Sequence, residues 1–107
     1  MHHEWNRDGS RVTLTADDAP HLREVTWYKR LTSGDPERVL IVLREDAPGE
    51  MLRVLTVCCT WGEAVLIAEN TATVWIGGVP VTLTQDDRGA LCTVLAAMHT
   101  GRTLAAA

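Results

Sequence analysis

Three cysteines, four histidines and two Asp-Asp pairs are the residues of this chain whose types suit chemistry. A thiol nucleophile needs a nearby base and an electropositive, partly exposed setting. Cys58 and Cys59 instead close the apolar run Val54-Leu55-Thr56-Val57, which raises a thiol pKa and points to inert core, and Cys58 and Cys92 are expected to label slowly. Cys92 and His99 are seven residues apart, roughly one helix face, and with Cys58 or Cys59 they could supply three metal ligands. That spacing matches no ligand signature. A buried free cysteine and a histidine near a helix C-terminus account for the same residues. Asp17-Asp18 and Asp86-Asp87 follow Thr15 and Thr84, so they read as first-turn acids rather than as paired catalytic carboxylates. The chain has no Gly-rich phosphate loop, HExxH, CxxC or GxSxG. The expectation is therefore no enzyme, no cofactor and no metal.

Recognition by contact has better candidates. Trp75 shares a strand face with Thr73 and, across a Gly77-Gly78 turn, with Thr82 and Pro80. A tryptophan among threonines suits a half-exposed surface that meets a partner. Arg53, with Arg38 and Arg44, is placed on neighbouring strands, where a basic face could meet nucleic acid. Interleaved Glu37, Glu45, Asp46 and Glu50, and a net charge of −4, weigh against it. Trp75, Thr73, Thr82 and Arg53 are the interface candidates.

The elements that must hold these residues follow from periodicity. Val74, Ile76, Val79, Val81 and Leu83 alternate on one face of a hairpin around Gly77-Gly78, where both turn positions favour positive φ. Thr84 caps a final helix carrying Leu91, Val94, Leu95 and Met98 as one stripe, with Gly101 placed to end it. Asp8-Gly9 marks an N-terminal hairpin between His2–Asn6 and Arg11–Thr15. Leu22, Val25 and Tyr28 suggest a first helix over Pro20 to Leu31. Residues 38–45 and 52–60 are apolar on both faces and read as central strands, and Ala64 to Ala68 reads as another strand. Val12-Thr13-Leu14-Thr15-Ala16-Asp17-Asp18 resembles Val81-Thr82-Leu83-Thr84-Gln85-Asp86-Asp87, either as one strand-to-helix device used twice or as a duplicated ββα unit.

At 107 residues and 46% hydrophobic, the chain is one domain with a core of its own. The expected fold is α+β: a mostly antiparallel sheet of five to seven strands with two helices on one face, in the order ββα-ββββ(β)-α, over residues 1–102, with 103–107 a frayed tail. No run is long enough to span a membrane and the N-terminus is unlike a signal peptide, so the expected location is the cytoplasm. Three cysteines do not make a disulfide framework. A single lysine among ten basic residues, and no phenylalanine, suggest a GC-rich bacterial or phage source.

These readings converge on a small non-enzymatic protein–protein interaction module: a regulator, inhibitor or assembly accessory. A nucleic-acid-binding regulator is the alternative, and a small ligand-binding protein or enzyme the third. Two strands apolar on both faces, with helices for one side only, lead to the expectation of a homodimer.

Overall fold

The computed structural model describes residues 1–6, 9–28, 37–46 and 52–105. The chain is α+β. Strands β1 (His2–Asn6), β2 (Gly9–Thr13), β3 (Leu22–Tyr28), β4 (Arg38–Asp46) and β5 (Leu52–Cys59) form an antiparallel sheet in sequence order. Helix α1 (Trp61–Glu69) follows, then the two-stranded ribbon β6 (Val74–Ile76) and β7 (Val79–Val81), then α2 (Gln85–Ala105). Helix α2 packs over β2 and β3, and α1 over β4, so both helices cover one side of the sheet. Between the layers lie Val12, Leu22, Val25, Trp27, Val39, Ile41, Val57, Ile67, Leu91, Val94 and Met98, all at most 2% exposed.

Residues 22–28 form a strand, not the expected helix. Register explains the helix-like spacing. Leu22 pairs with Leu43 and Glu24 with Val42, so a β-bulge inserts one extra residue. The bulge puts Leu22 and Val25 on the same buried face, three residues apart, which imitates helical spacing. The heptamer before it starts a helix and fails. Asp18 accepts from the Thr15 N–H and hydroxyl, both at 3.0 Å, and the Asp18 and Ala19 N–H groups bond Thr15 O at 3.1 and 3.0 Å. Pro20 then has no N–H to continue the turn. At Thr84 the same device meets no proline and runs into α2. The two heptamers share a cap, and only the second leads into a helix.

Ala64 to Ala68, expected as a strand, lies inside α1. Thr60 and Glu63 form a capping box: the Glu63 N–H donates to Thr60 Oγ1 at 3.2 Å and the Thr60 N–H to Glu63 Oε1 at 2.9 Å. Helix α2 passes through Gly101 to Ala105, because one glycine costs about 1 kcal/mol in a helix without breaking it. Strand β5, expected to be central, is a sheet edge, since the chain leaves it for a helix instead of another strand. The Asp8 half of the first turn lies outside the described residues. Gly9 is required by contact, because a Cβ there would sit 2.0 Å from Trp27 O.

One carboxylate joins the layers. Asp87, fully buried, accepts from the Thr84 hydroxyl at 2.6 Å and from the backbone N–H groups of His21 at 2.9 Å and Leu22 at 3.2 Å. Burial pushes its pKa up, but the bonds from Thr84, His21 and Leu22 together outweigh that and hold it below the ordinary value. A depressed carboxylate contributes stability that is present above its unfolded pKa of about 3.9 and is lost as pH falls through the folded value. Asp18, held to about 2 first by the Met1 amino group 2.9 Å away, acts in the same window.

Two outcomes are expected in urea denaturation. Leu91→Ala should cost about 2–4 kcal/mol as a core truncation. The wild-type midpoint should fall between about pH 5 and pH 2, and Asp87→Asn, less stable at neutral pH, should lose less over that range. An Asp87→Asn profile parallel to wild type would show that Asp87 is not the group titrating.

Candidate functional site

The ribbon has the face assignment its alternation predicts. Val74, Ile76, Val81 and Leu83 are buried, while Thr73, Trp75, Pro80 and Thr82 are exposed. Val74 pairs with Val81, Trp75 with Pro80 and Ile76 with Val79, through a turn with φ of +56° at Gly77 and +82° at Gly78. Those two angles explain the glycines. Thr73 Oγ1 and Thr82 Oγ1 are 2.7 Å apart, a cross-strand bond beside Trp75, which is 67% exposed. Three of the four sequence-derived interface residues therefore share one small, stiff surface. Arg53 does not join them. It lies on β5 opposite Glu45, in the other sheet.

The second surface is the uncovered side of the five-stranded sheet. The register aligns Arg11, Thr26, Leu40 and Cys58 in one row and Thr13, Glu24, Val42 and Thr56 in the next. Its β1–β3 half is polar, with Arg11 and Glu24 ion-paired at 3.4 Å. Its β4–β5 half carries the apolar residues of this side, beside Thr56, Arg38 and Arg44: Leu40 and Val42 are half-buried, and Cys58 and Val54 are exposed, Val54 at 69%. The N-terminal hairpin, one expected cover for this side, instead extends the sheet edgewise as β1 and β2. Arg38 and Arg44 lie on this side, but Arg53 alternates to the helix side with Leu55 and Val57. The three arginines thus make no common basic stripe.

The third surface was not legible while residues 64–68 read as a strand. Helices α1 and α2 enclose an open groove of about 390 Å³ lined by Trp61, Val65, Ala68, Glu69, Cys92, Leu95, Ala96 and His99. Trp61 stands edge-on to buried Trp27, ring centroids 6.5 Å apart, and 6.3 Å from the His99 ring. The Cys92 thiol donates to the Ala68 carbonyl at 3.5 Å. The Thr60-x-x-Glu63 capping signature was the sequence signal that could have located this groove, because it starts α1.

The chemistry these surfaces offer is limited. Among the described residues no three His, Cys, Asp or Glu side chains gather as a metal site requires. The Cys59 thiol, donating to Val39 O at 3.5 Å, is pushed up to about 12 by burial, then by the charge of Glu63. Burial and then the charge of His2 lower His3, whose ring lies 3.9 Å from that of Trp5. Cys58, expected in the core, is exposed on the uncovered side, and Cys92 is exposed as well. The reason is strand alternation: Cys59 takes the inward position and leaves Cys58 outside.

No protein-family model, curated protein or solved structure matches this chain. Among the described residues no helix is long and apolar enough to cross a membrane.

Thiol labelling separates the three cysteines. Without denaturant, Cys58 and Cys92 should react with maleimide and Cys59 should not, and all three should react after unfolding. Native labelling of Cys59 at a rate similar to Cys58 would contradict its burial.

Proposed function

We propose that this protein is a non-enzymatic protein–protein interaction module that works as a homodimer in the cytoplasm of a bacterial or phage-infected cell. The observation that carries the reading is the display of large apolar side chains on hydrogen-bonded β-structure, with Val54 at 69% and Trp75 at 67% exposure. Ordered apolar side chains of this kind enter an interface at little conformational cost. Leu40 lies opposite Cys58 and Val42 opposite Thr56, with Val54 diagonal to Val42, and neither helix covers this side. Trp75, backed by Pro80 and flanked by bonded threonines, suits the anchor of a contact with a further protein.

The nucleic-acid reading loses support, because Arg53 faces away from Arg38 and Arg44 and Arg11 is paired with Glu24. The groove between α1 and α2 favours a small apolar ligand as the second reading, since it sets Cys92 and His99 in one depression.

Light scattering over a dilution series tests self-association. A dimer mass at high micromolar concentration is expected, falling to the monomer on dilution, with Val54→Asp weakening association by about tenfold or more. A monomer mass throughout, unchanged by Val54→Asp or Trp75→Ala, would overturn the reading.

A further inference from the structure

Among the described residues, strand β5 is a sheet edge without the usual protection. Natural edges are blunted by charge, proline, bulges or a covering element. The sequence of β5, LRVLTVCC, has one charge and no proline, and its register with β4 is unbroken from Leu52 to Cys59. Among the described residues no strand pairs with its outer edge, because β6 and β7 pair only with each other. The apolar half of the uncovered side, with Val54 and Cys58, borders this same edge.

We propose that β5 pairs antiparallel with β5 of a second copy, about a two-fold axis passing through Thr56 normal to the sheet. This rests on the self-association proposed above and specifies its contact. A two-fold axis that joins edge strands antiparallel must be normal to the sheet, so both copies keep their helices on the same side. Inward residues then meet inward residues. With the axis at Thr56, Val54 of one copy faces Cys58 of the other on the uncovered side, and Leu55 faces Val57 on the helix side. Arg53 falls opposite the partner's Cys59.

Charge selects this register over its neighbour. Glu63, in the first turn of α1, is bonded both ways to Thr60, the residue that follows Cys59, and so lies at the end of β5. Helix α1 sits over β4 with its Trp61, Val65 and Ala68 flank toward α2, which lies over β2 and β3. Glu63 and Leu66 occupy the opposite flank, toward the β5 edge, and Leu66 is 47% exposed. Pairing about Thr56 therefore brings Arg53, exposed and opposite Glu45 within its own sheet, toward the partner's Glu63. An axis at Leu55 would set Arg53 opposite the partner's Val57, two residues further along β5 from Thr60 and Glu63.

Oxidative cross-linking tests the register. In a Cys58→Ser, Cys92→Ser background, Thr56→Cys puts two thiols across the axis, at the roughly 4.5–5.5 Å Cα separation of paired strands, which a disulfide can span. Treatment of the full chain with copper–phenanthroline should give a covalent dimer, and Thr13→Cys in the same background should not. Val54→Cys with Cys58 retained and Cys92→Ser should also cross-link, which keeps the test decisive if Thr56→Cys misfolds. Arg53→Glu should weaken the dimer by about tenfold or more in light scattering, and Arg53→Lys should restore most of it. A dimeric protein whose Thr56 and Val54 variants fail to cross-link, or cross-link no better than Thr13→Cys, overturns the edge contact and leaves self-association standing. A monomeric wild type removes both.

Discussion

The architecture depends on one buried carboxylate. Asp87 leaves water completely, a cost that only directed hydrogen bonds offset, and its donors come from two distant parts of the chain. Thr84 belongs to the start of α2, and the His21 and Leu22 N–H groups to the start of β3. The bond set therefore fixes where α2 begins relative to the sheet. Once that point is fixed, Leu91, Val94, Leu95 and Met98 fall over β2 and β3, and α2 runs back alongside α1 so that His99 nears Trp61. The bulge between Leu22 and Glu24 belongs to the same junction. It turns Leu22 inward under the helix while its N–H remains on Asp87.

Placing both helices on one side has a consequence for the other. The meander puts β4 between two neighbours, so its alternation of Val39, Ile41 and Leu43 inward leaves Leu40 and Val42 facing away from the helices. Strand β5 inherits the same two-sided apolar pattern at an edge, where it is less protected. The polar β1–β3 half of that side needs no cover, and the contrast between the halves localises the surface suited to association. The ribbon is a separate case. It buries Val74, Ile76 and Val81 in the core and displays Trp75 outward, so its stiffness comes from the fold while its exposed face remains available.

Much of this was legible in the chain alone. The ribbon's two faces, the positive φ at Gly77-Gly78, the cap at Thr84, the α2 stripe, the α+β class and the grouping of Trp75 with Thr73 and Thr82 all follow from period, turn chemistry and capping. These are local rules, and each acts within a few residues. Pro20 limited the first heptamer in the same local way, and the Thr60-x-x-Glu63 signature was present for α1.

What only tertiary structure decided is what depends on pairing. Leu22 and Val25 look helical because a bulge, set by register with β4, realigns their faces. The apolar pattern of β5 is that of a central strand, and nothing in its own residues says that no neighbour follows. Arg53 seemed to belong with Arg38 and Arg44 until the strand register set its side. The groove of Trp61, Cys92 and His99 joins residues from two helices whose contact is long-range. The physical reason is common to all four. Alternation and capping are written in the chemistry of adjacent residues, whereas the identity of a strand's neighbour depends on the free energy of the whole packed arrangement, which no short window contains.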